Sequence, residues 1–272
     1  MNFLLLICAV AILPESIKAA ANLETAYQWR YIDYVWPSED VKQDAIATGA
    51  YNYTNIMPMD VDVAKDGRVF ITALNFPGVP ARLGVVTNQQ GESGPLIQPY
   101  PNWASTDLNN CDSIIDVYRV AIDSCNRLWV LDSGKDYAAR NPNKCPPKLL
   151  TFDLGTDTLI HAVVVPEHIA FNPQTRLSLL ANVKVETYGQ RCEDTTEILV
   201  QDTERLQYAD GIKVIPQPIR PEEEVWILTN RYPALVHRKL NFSEPNFFIL
   251  RSPVAKLIAG TKCQNPEQTI AA

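Results

Sequence analysis

The stretch CDSIIDVYRVAIDSCNRLWVLDSGKDYAARNPNKCPPKLLTFDL at 111–154 constrains the fold more than any other part of the chain. Three cysteines, two strand-like runs and a buried-type aromatic stand together in it. Tyr118, Val120 and Ile122 alternate with polar or small residues, LWVL at 128–131 is a short apolar run, and DSCN at 123–126 between them has the composition of a tight turn. The pattern predicts one hairpin of a sheet that is stapled by a disulfide. Hairpins of this kind build sandwiches and propellers.

The same phrase recurs. An alternating apolar strand, a polar turn and a strand with a large aromatic appear in DVAKDGRVFIT at 62–72 and in AIDSCNRLWVL at 121–131. A third copy is IKVI at 212–215, a Pro-rich turn, then EVWIL at 224–228. Phe70, Trp129 and Trp226 hold equivalent places, and the longer interval between the last two leaves room for one unmarked unit. KLLTFD at 148–153 and LIHAVVV at 159–165, joined by LGTDT, predict a further hairpin. Repeated hairpins must close or cover their sheet edges. Radial closure does so with short strands, so an all-β propeller is expected over a two-layer sandwich. Helix is expected only at 38–48, capped by Ser38 with Val41 and Ala45 facing inward, and at 174–182.

Stapled cysteines belong to an oxidising compartment, because cytosolic thiols are kept reduced. The chain begins with an apolar run at 3–13, then Pro14 and the small residues Ala19, Ala20 and Ala21. This predicts a signal peptide over 1–20, too short for the roughly 20 apolar residues of a membrane span, and a single secreted, extracellular domain over 21–272. No second apolar run reaches spanning length. With 46% hydrophobic and 20% charged residues the chain can bury a core, and 20 prolines against 11 glycines favour turns over long helices. A net charge of −7 without a basic block argues against nucleic acid as the partner. Asn52 and Asn241 head glycosylation sequons, NYT and NFS.

At this point the residues resemble the yellow and major royal jelly protein family of insects. The phrases are YQWRYIDYVWP at 27–37, TGAYN at 48–52, NIMPMD at 55–60, RVFIT at 68–72, RLWVLDSG at 127–134 and CPPKLLTFD at 145–153. LQYADGIKV at 206–214 and EVWILTNRY at 224–232 continue the family pattern in its order. The resemblance implies a six-bladed β-propeller. This chain is too short for six blades, and the text passes from an early blade to the last one near 196–197, so the resemblance implies an incomplete ring of about four blades. The cysteines fit a loss. Cys8 leaves with the signal, and Cys111, Cys125, Cys145 and Cys192 are expected to form two bonds of open connectivity, with Cys263 left over. A zinc site is disfavoured, since no Cys-x-x-Cys pair exists.

Candidate chemistry lies where strands carrying the aromatics end, because a propeller brings such ends to a shared mouth. Those ends supply Asn75, then Asp132 and Ser133, then Thr229, Asn230, Arg231 and Tyr232. Asp132 offers a carboxylate to a protonated nitrogen, although Asp, Ser and Asn also serve as ordinary turn caps. The resemblance implies an amine-binding role for Asn230 and Tyr232, where Tyr stands in place of the commoner Phe. The three histidines, His161, His168 and His237, lie beside no nucleophile motif, and His161 is expected as a packed strand residue. Three functions are therefore compared. The favoured one is a non-enzymatic secreted factor or binder of a biogenic amine or catechol in cuticle pigmentation and melanin physiology, with no cofactor or metal. The second is a dopachrome-converting enzyme with Asp132 as its base. The third is a calcium-dependent lactonase-like propeller, which needs converging oxygen ligands.

Overall fold

The structure is a computed structural model that describes residues 23–137, 143–166, 170, 205, 208–216, 223–231, 234 and 240–259. Its strands are β1 (Glu24–Trp29), β2 (Pro58–Val63), β3 (Val69–Ala73), β4 (Leu83–Gln90), β5 (Pro95–Pro99) and β6 (Val117–Ile122). They continue with β7 (Arg127–Asp132), β8 (Lys148–Asp153), β9 (Thr158–Val164), β10 (Tyr208–Pro216), β11 (Glu223–Asn230) and β12 (Phe247–Pro253). The described helices are α1 (Glu39–Ala47), α2 (Val254–Ile258) and two short 3-10 helices, Tyr53–Asn55 and Trp103–Thr106. The strands form three four-stranded antiparallel sheets, ordered β2-β3-β4-β5, β6-β7-β8-β9 and β1-β12-β11-β10. The fold is all-β and propeller-like. The third sheet is a clasp, because β1 from the start of the described chain pairs with β12 near its end, Trp29 opposite Phe247.

Local chemistry explains the hairpins. In the β6–β7 turn Asn126 takes φ 61°, and the Asp123 carboxylate accepts from the Cys125 and Arg127 amides and from the Trp129 ring nitrogen. The β2–β3 turn uses Gly67 at φ 85°, where a side chain would be strained, and Asp66 accepts from the Arg68 amide. Ser38 caps α1 by accepting from the Val41 amide at 3.3 Å, and Ala45 is buried as expected. Val41 instead stands 44% exposed, because the helix lies on the surface and shows the sheet only a narrow stripe. The residues at 174–182, His168 and His237 lie outside the described residues. His161 is exposed, not packed, since it sits on β9, an edge strand whose residues are all exposed.

The sheets stack through apolar faces. Between the clasp and the β2–β5 sheet, Trp29, Trp226, Leu228, Phe247 and Ile249 meet Val61, Val69, Ile71 and Ile97. Between the β2–β5 and β6–β9 sheets, Phe70, Leu83 and Tyr100 meet Val117, Val120, Leu128, Val130 and Phe152. Phe70 sits edge-on to Tyr100 at 5.0 Å, and burying such a ring is worth about 2–3 kcal/mol. Phe70, Trp129 and Trp226 do occupy matching positions, opposite Asp62, Ala121 and Lys213 of the preceding strands. They stand on the second strand of each sheet, not the innermost: at the centre β2 lies against both β10 and β6. One disulfide joins Cys111 to Cys145. Cys125 carries a free, exposed thiol in the β6–β7 turn, whereas the sequence reading gave it a partner; Cys192 and Cys263 lie outside the described residues.

Candidate functional site: a charged axis below an aromatic mouth

Where the three innermost strands converge, β2 presents Asp60 and Asp62, two residues apart and so on one face. Asp60 Oδ2 accepts from the Val120 amide at 3.0 Å and Asp62 Oδ2 from the Ile122 amide at 2.9 Å. The two carboxylates thus satisfy backbone donors of β6 that no neighbouring strand pairs. Lys213 of β10 reaches into the same space, 3.3 Å from Asp60 and 3.7 Å from Asp62, and donates to the Val120 carbonyl at 2.6 Å. Arg119 Nη1 stands 3.6 Å from Asp60 Oδ1. Gly211 makes the approach possible, since a Cβ there would lie 2.6 Å from Asp60 Oδ1 and 2.9 Å from the β2 backbone. Burial pushes both carboxyls up, against the pull of Lys213, with Asp62 at about 6. The cluster ties three sheets together.

The expected mouth residues lie at the end of the sheets where these inner strands begin, but most are already engaged. Asn75 donates its amide to Asp116 and its Nδ2 to the Lys135 carbonyl, both at 2.9 Å. Asn230 Nδ2 donates to the Pro58 carbonyl at 3.2 Å, and the Thr229 hydroxyl donates to the Arg205 carbonyl. These residues latch one sheet to the next. Asp132 is fully buried, accepts from the amides of Ile115, Asp116 and Gly134 at 2.9 Å each, and lies 3.4 Å from Lys148 Nζ. Its carboxylate is therefore enclosed within its own sheet and is not offered to the mouth. Tyr232 lies outside the described residues.

Other groups line this end. The Phe76 and Tyr137 rings meet at 5.3 Å, the Tyr118 and Tyr137 hydroxyls are 3.1 Å apart, and Lys135 Nζ lies 5.8 Å from the Tyr137 ring centre. All three rings are half-buried. Behind them Asp116 accepts from Ser133 at 2.5 Å as well as from Asn75, and burial raises its pKa against those two bonds. Such a site offers a stacking surface, with Asp116 and Asn75 buried and bonded to each other behind it. Sequence reasoning missed Phe76, Tyr118, Tyr137 and the Asp60–Asp62–Lys213 cluster. The DVD phrase at 60–62, two carboxylates in an inner strand, was the available signal. Among the described residues no three His, Cys, Asp or Glu side chains group as a metal site, and no helix is long and apolar enough to cross a membrane.

Both sequons are exposed, and in each the asparagine Oδ1 accepts from its own hydroxyl residue, Thr54 at 2.7 Å and Ser243 at 2.6 Å. Comparison with known proteins adds the wider frame. The family model described as "Major royal jelly protein" matches residues 115–198 and 193–263. Major royal jelly protein 8 of Apis mellifera is 40% identical over 183 residues, which cover 67% of this chain and 43% of that relative. Major royal jelly protein 1 of the same species is 38% identical over 181 residues, 66% of this chain and 41% of the relative. The matched part thus spans about two fifths of the length of those two relatives. Major royal jelly protein 9 is 43% identical over an alignment of 391 residues, covering 91% of this chain and 92% of the relative. That alignment is longer than the 272-residue chain, so more than a hundred residues of the relative face no counterpart here.

Proposed function

Since this chain belongs to the major royal jelly protein family, we propose that it acts outside the cell as a non-enzymatic binder of a small aromatic amine or catechol, in cuticle pigmentation and melanin physiology. The observation that carries this reading is the half-buried ring group Phe76, Tyr118 and Tyr137 beside Asp116 and Asn75. A planar catechol stacks on such rings, and a protonated amine gains a cation–π contact with them. Asn230 stands at the same end of the sheets, and the family resemblance adds it and Tyr232 to the residues proposed to bind. A signal peptide at 1–20 and glycans on Asn52 and Asn241 complete the secreted form. Calorimetric titration with dopamine and serotonin tests it. Saturable binding is expected, and Tyr137→Ala should weaken it about tenfold, the loss of ~1.4 kcal/mol of ring contact. No binding heat up to about 1 mM ligand would end the reading.

Dopachrome conversion is the second reading, with Asp116, the buried carboxyl behind the half-buried rings, taking the proton-holding part first given to Asp132. Loss of dopachrome's visible absorbance in the presence of the protein, abolished by Asp116→Asn, would select it.

A further inference from the structure

The ring group at the mouth stacks any planar ligand, because every aromatic has a face to offer. Stacking alone therefore does not separate a catechol from a phenol or an indole. The polar atoms carried by the rings do. The Tyr118 and Tyr137 hydroxyls come from different parts of the chain, β6 and the segment that follows β7, and stand 3.1 Å apart in a half-buried position. Both residues are tied to the neighbouring sheet. The Tyr118 carbonyl accepts from the Thr72 hydroxyl of β3 at 2.8 Å, and the Tyr137 ring lies 5.3 Å from that of Phe76, so the packing of two sheets sets the spacing of the two phenolic oxygens.

Donor and acceptor numbers fix what this pair takes from a ligand. Each phenolic hydroxyl carries one proton to donate and two lone pairs to accept. One proton is spent on the bond between the two oxygens. The other is drawn inward, to the buried Asp116 carboxyl: burial first, and then the charge and hydrogen bonding of Asp116 and Tyr118, hold the Tyr137 proton on its oxygen. With both protons committed, the pair meets a ligand as an acceptor and favours one that donates. A catechol carries two O–H donors on adjacent carbons, its oxygens about 2.8 Å apart, the spacing of two hydrogen-bonded oxygens. The 3.1 Å between Tyr118 and Tyr137 matches it. A monophenol fills one of the two places, and an o-quinone has the oxygens but no proton to give. We propose that the Tyr118 and Tyr137 hydroxyls together determine specificity at this site, reading the two adjacent O–H groups of a reduced catechol. This rests on the ring-site reading given above and narrows its ligand class.

Calorimetric titration of the protein with dopamine and with tyramine, two amines that differ by one ring hydroxyl, tests this. Dopamine is expected to bind about fivefold more tightly, the worth of one net hydrogen bond. Tyr118→Phe deletes one oxygen and keeps both rings, so it should bring dopamine down to the tyramine affinity while tyramine itself changes less than about twofold. Tyr137→Phe removes the other half of the pair and should have the same effect, each variant keeping the far-ultraviolet dichroism of the parent. Equal affinity of the parent for the two amines, or a preference for dopamine that persists in both variants, would overturn the inference and leave the binding reading standing. No heat with either ligand would end both.

Discussion

Replacing Lys213 with methionine isolates the energetics of the axis. The substitution keeps most of the stem but removes the ammonium that lies 3.3 Å from Asp60, 3.7 Å from Asp62 and 2.6 Å from the Val120 carbonyl. At an effective dielectric constant near 20 the closer ion pair alone is worth about 5 kcal/mol of attraction, reduced by the desolvation of the ammonium itself. Stripping a buried carboxylate of its partner typically destabilises by ~3–5 kcal/mol, and because Lys213 keeps 20% of its side-chain surface in solvent the lower figure is expected at neutral pH. The loss must depend on pH. Asp60 and Asp62 already have folded pKa values above the ordinary carboxyl value of 3.8, Asp62 at about 6, and removing the cation lifts both further. A folded carboxyl with a raised pKa binds more protons than the unfolded one, so its stability contribution is full in acid and is lost as pH rises through the folded value. The variant should therefore lose about 3 kcal/mol at pH 7.5 and about 1 kcal/mol or less at pH 4.5, where the carboxyls are protonated. Urea denaturation followed by tryptophan fluorescence at the two pH values measures this. A loss under about 1 kcal/mol at pH 7.5, or an equal loss at both, would refute the account of the axis.

Other perturbations test the packing and the thiols. Gly211→Ala places a methyl 2.6 Å from Asp60 Oδ1 and 2.9 Å from β2 backbone atoms that have no room to retreat, and should lower the urea midpoint by an amount equivalent to about 1–3 kcal/mol. Phe70→Ala empties a site with no solvent exposure between two sheets and should cost about 3–5 kcal/mol in the same assay. The Cys111–Cys145 bond closes a separation of 34 residues, so replacing both with alanine should destabilise by about 4 kcal/mol on chain-entropy grounds. Cys125 should react with a maleimide in the folded protein without reductant, read by mass spectrometry of the labelled peptide; an unreactive Cys125 would mean that its thiol is engaged.

Much of the architecture is local and was open to reading in the residues themselves. The β6–β7 and β8–β9 hairpins, the Ser38 cap and the matched Phe70, Trp129 and Trp226 follow from periods and turn chemistry within a few neighbouring positions, whereas the connectivity of the cysteines stayed open until the fold set Cys111 beside Cys145. The family, too, is carried by short phrases in order. What a polar residue does after its strand ends is a different matter. Asp132 looked like a ligand-facing carboxylate, yet parity along β7 sets it on the same buried face as Leu128 and Val130, where three amides and Lys148 enclose it. Asp60 and Asp62 looked like ordinary polar positions, yet they hold the axis, because β6 passes with unpaired amides and β10 brings Lys213 from far along the chain. Alternation and turn composition act over a few residues, so the sequence determined the hairpins. A carboxylate's partner depends on which strands meet, and that is decided only when the sheets pack, so the charged axis belongs to the tertiary structure alone.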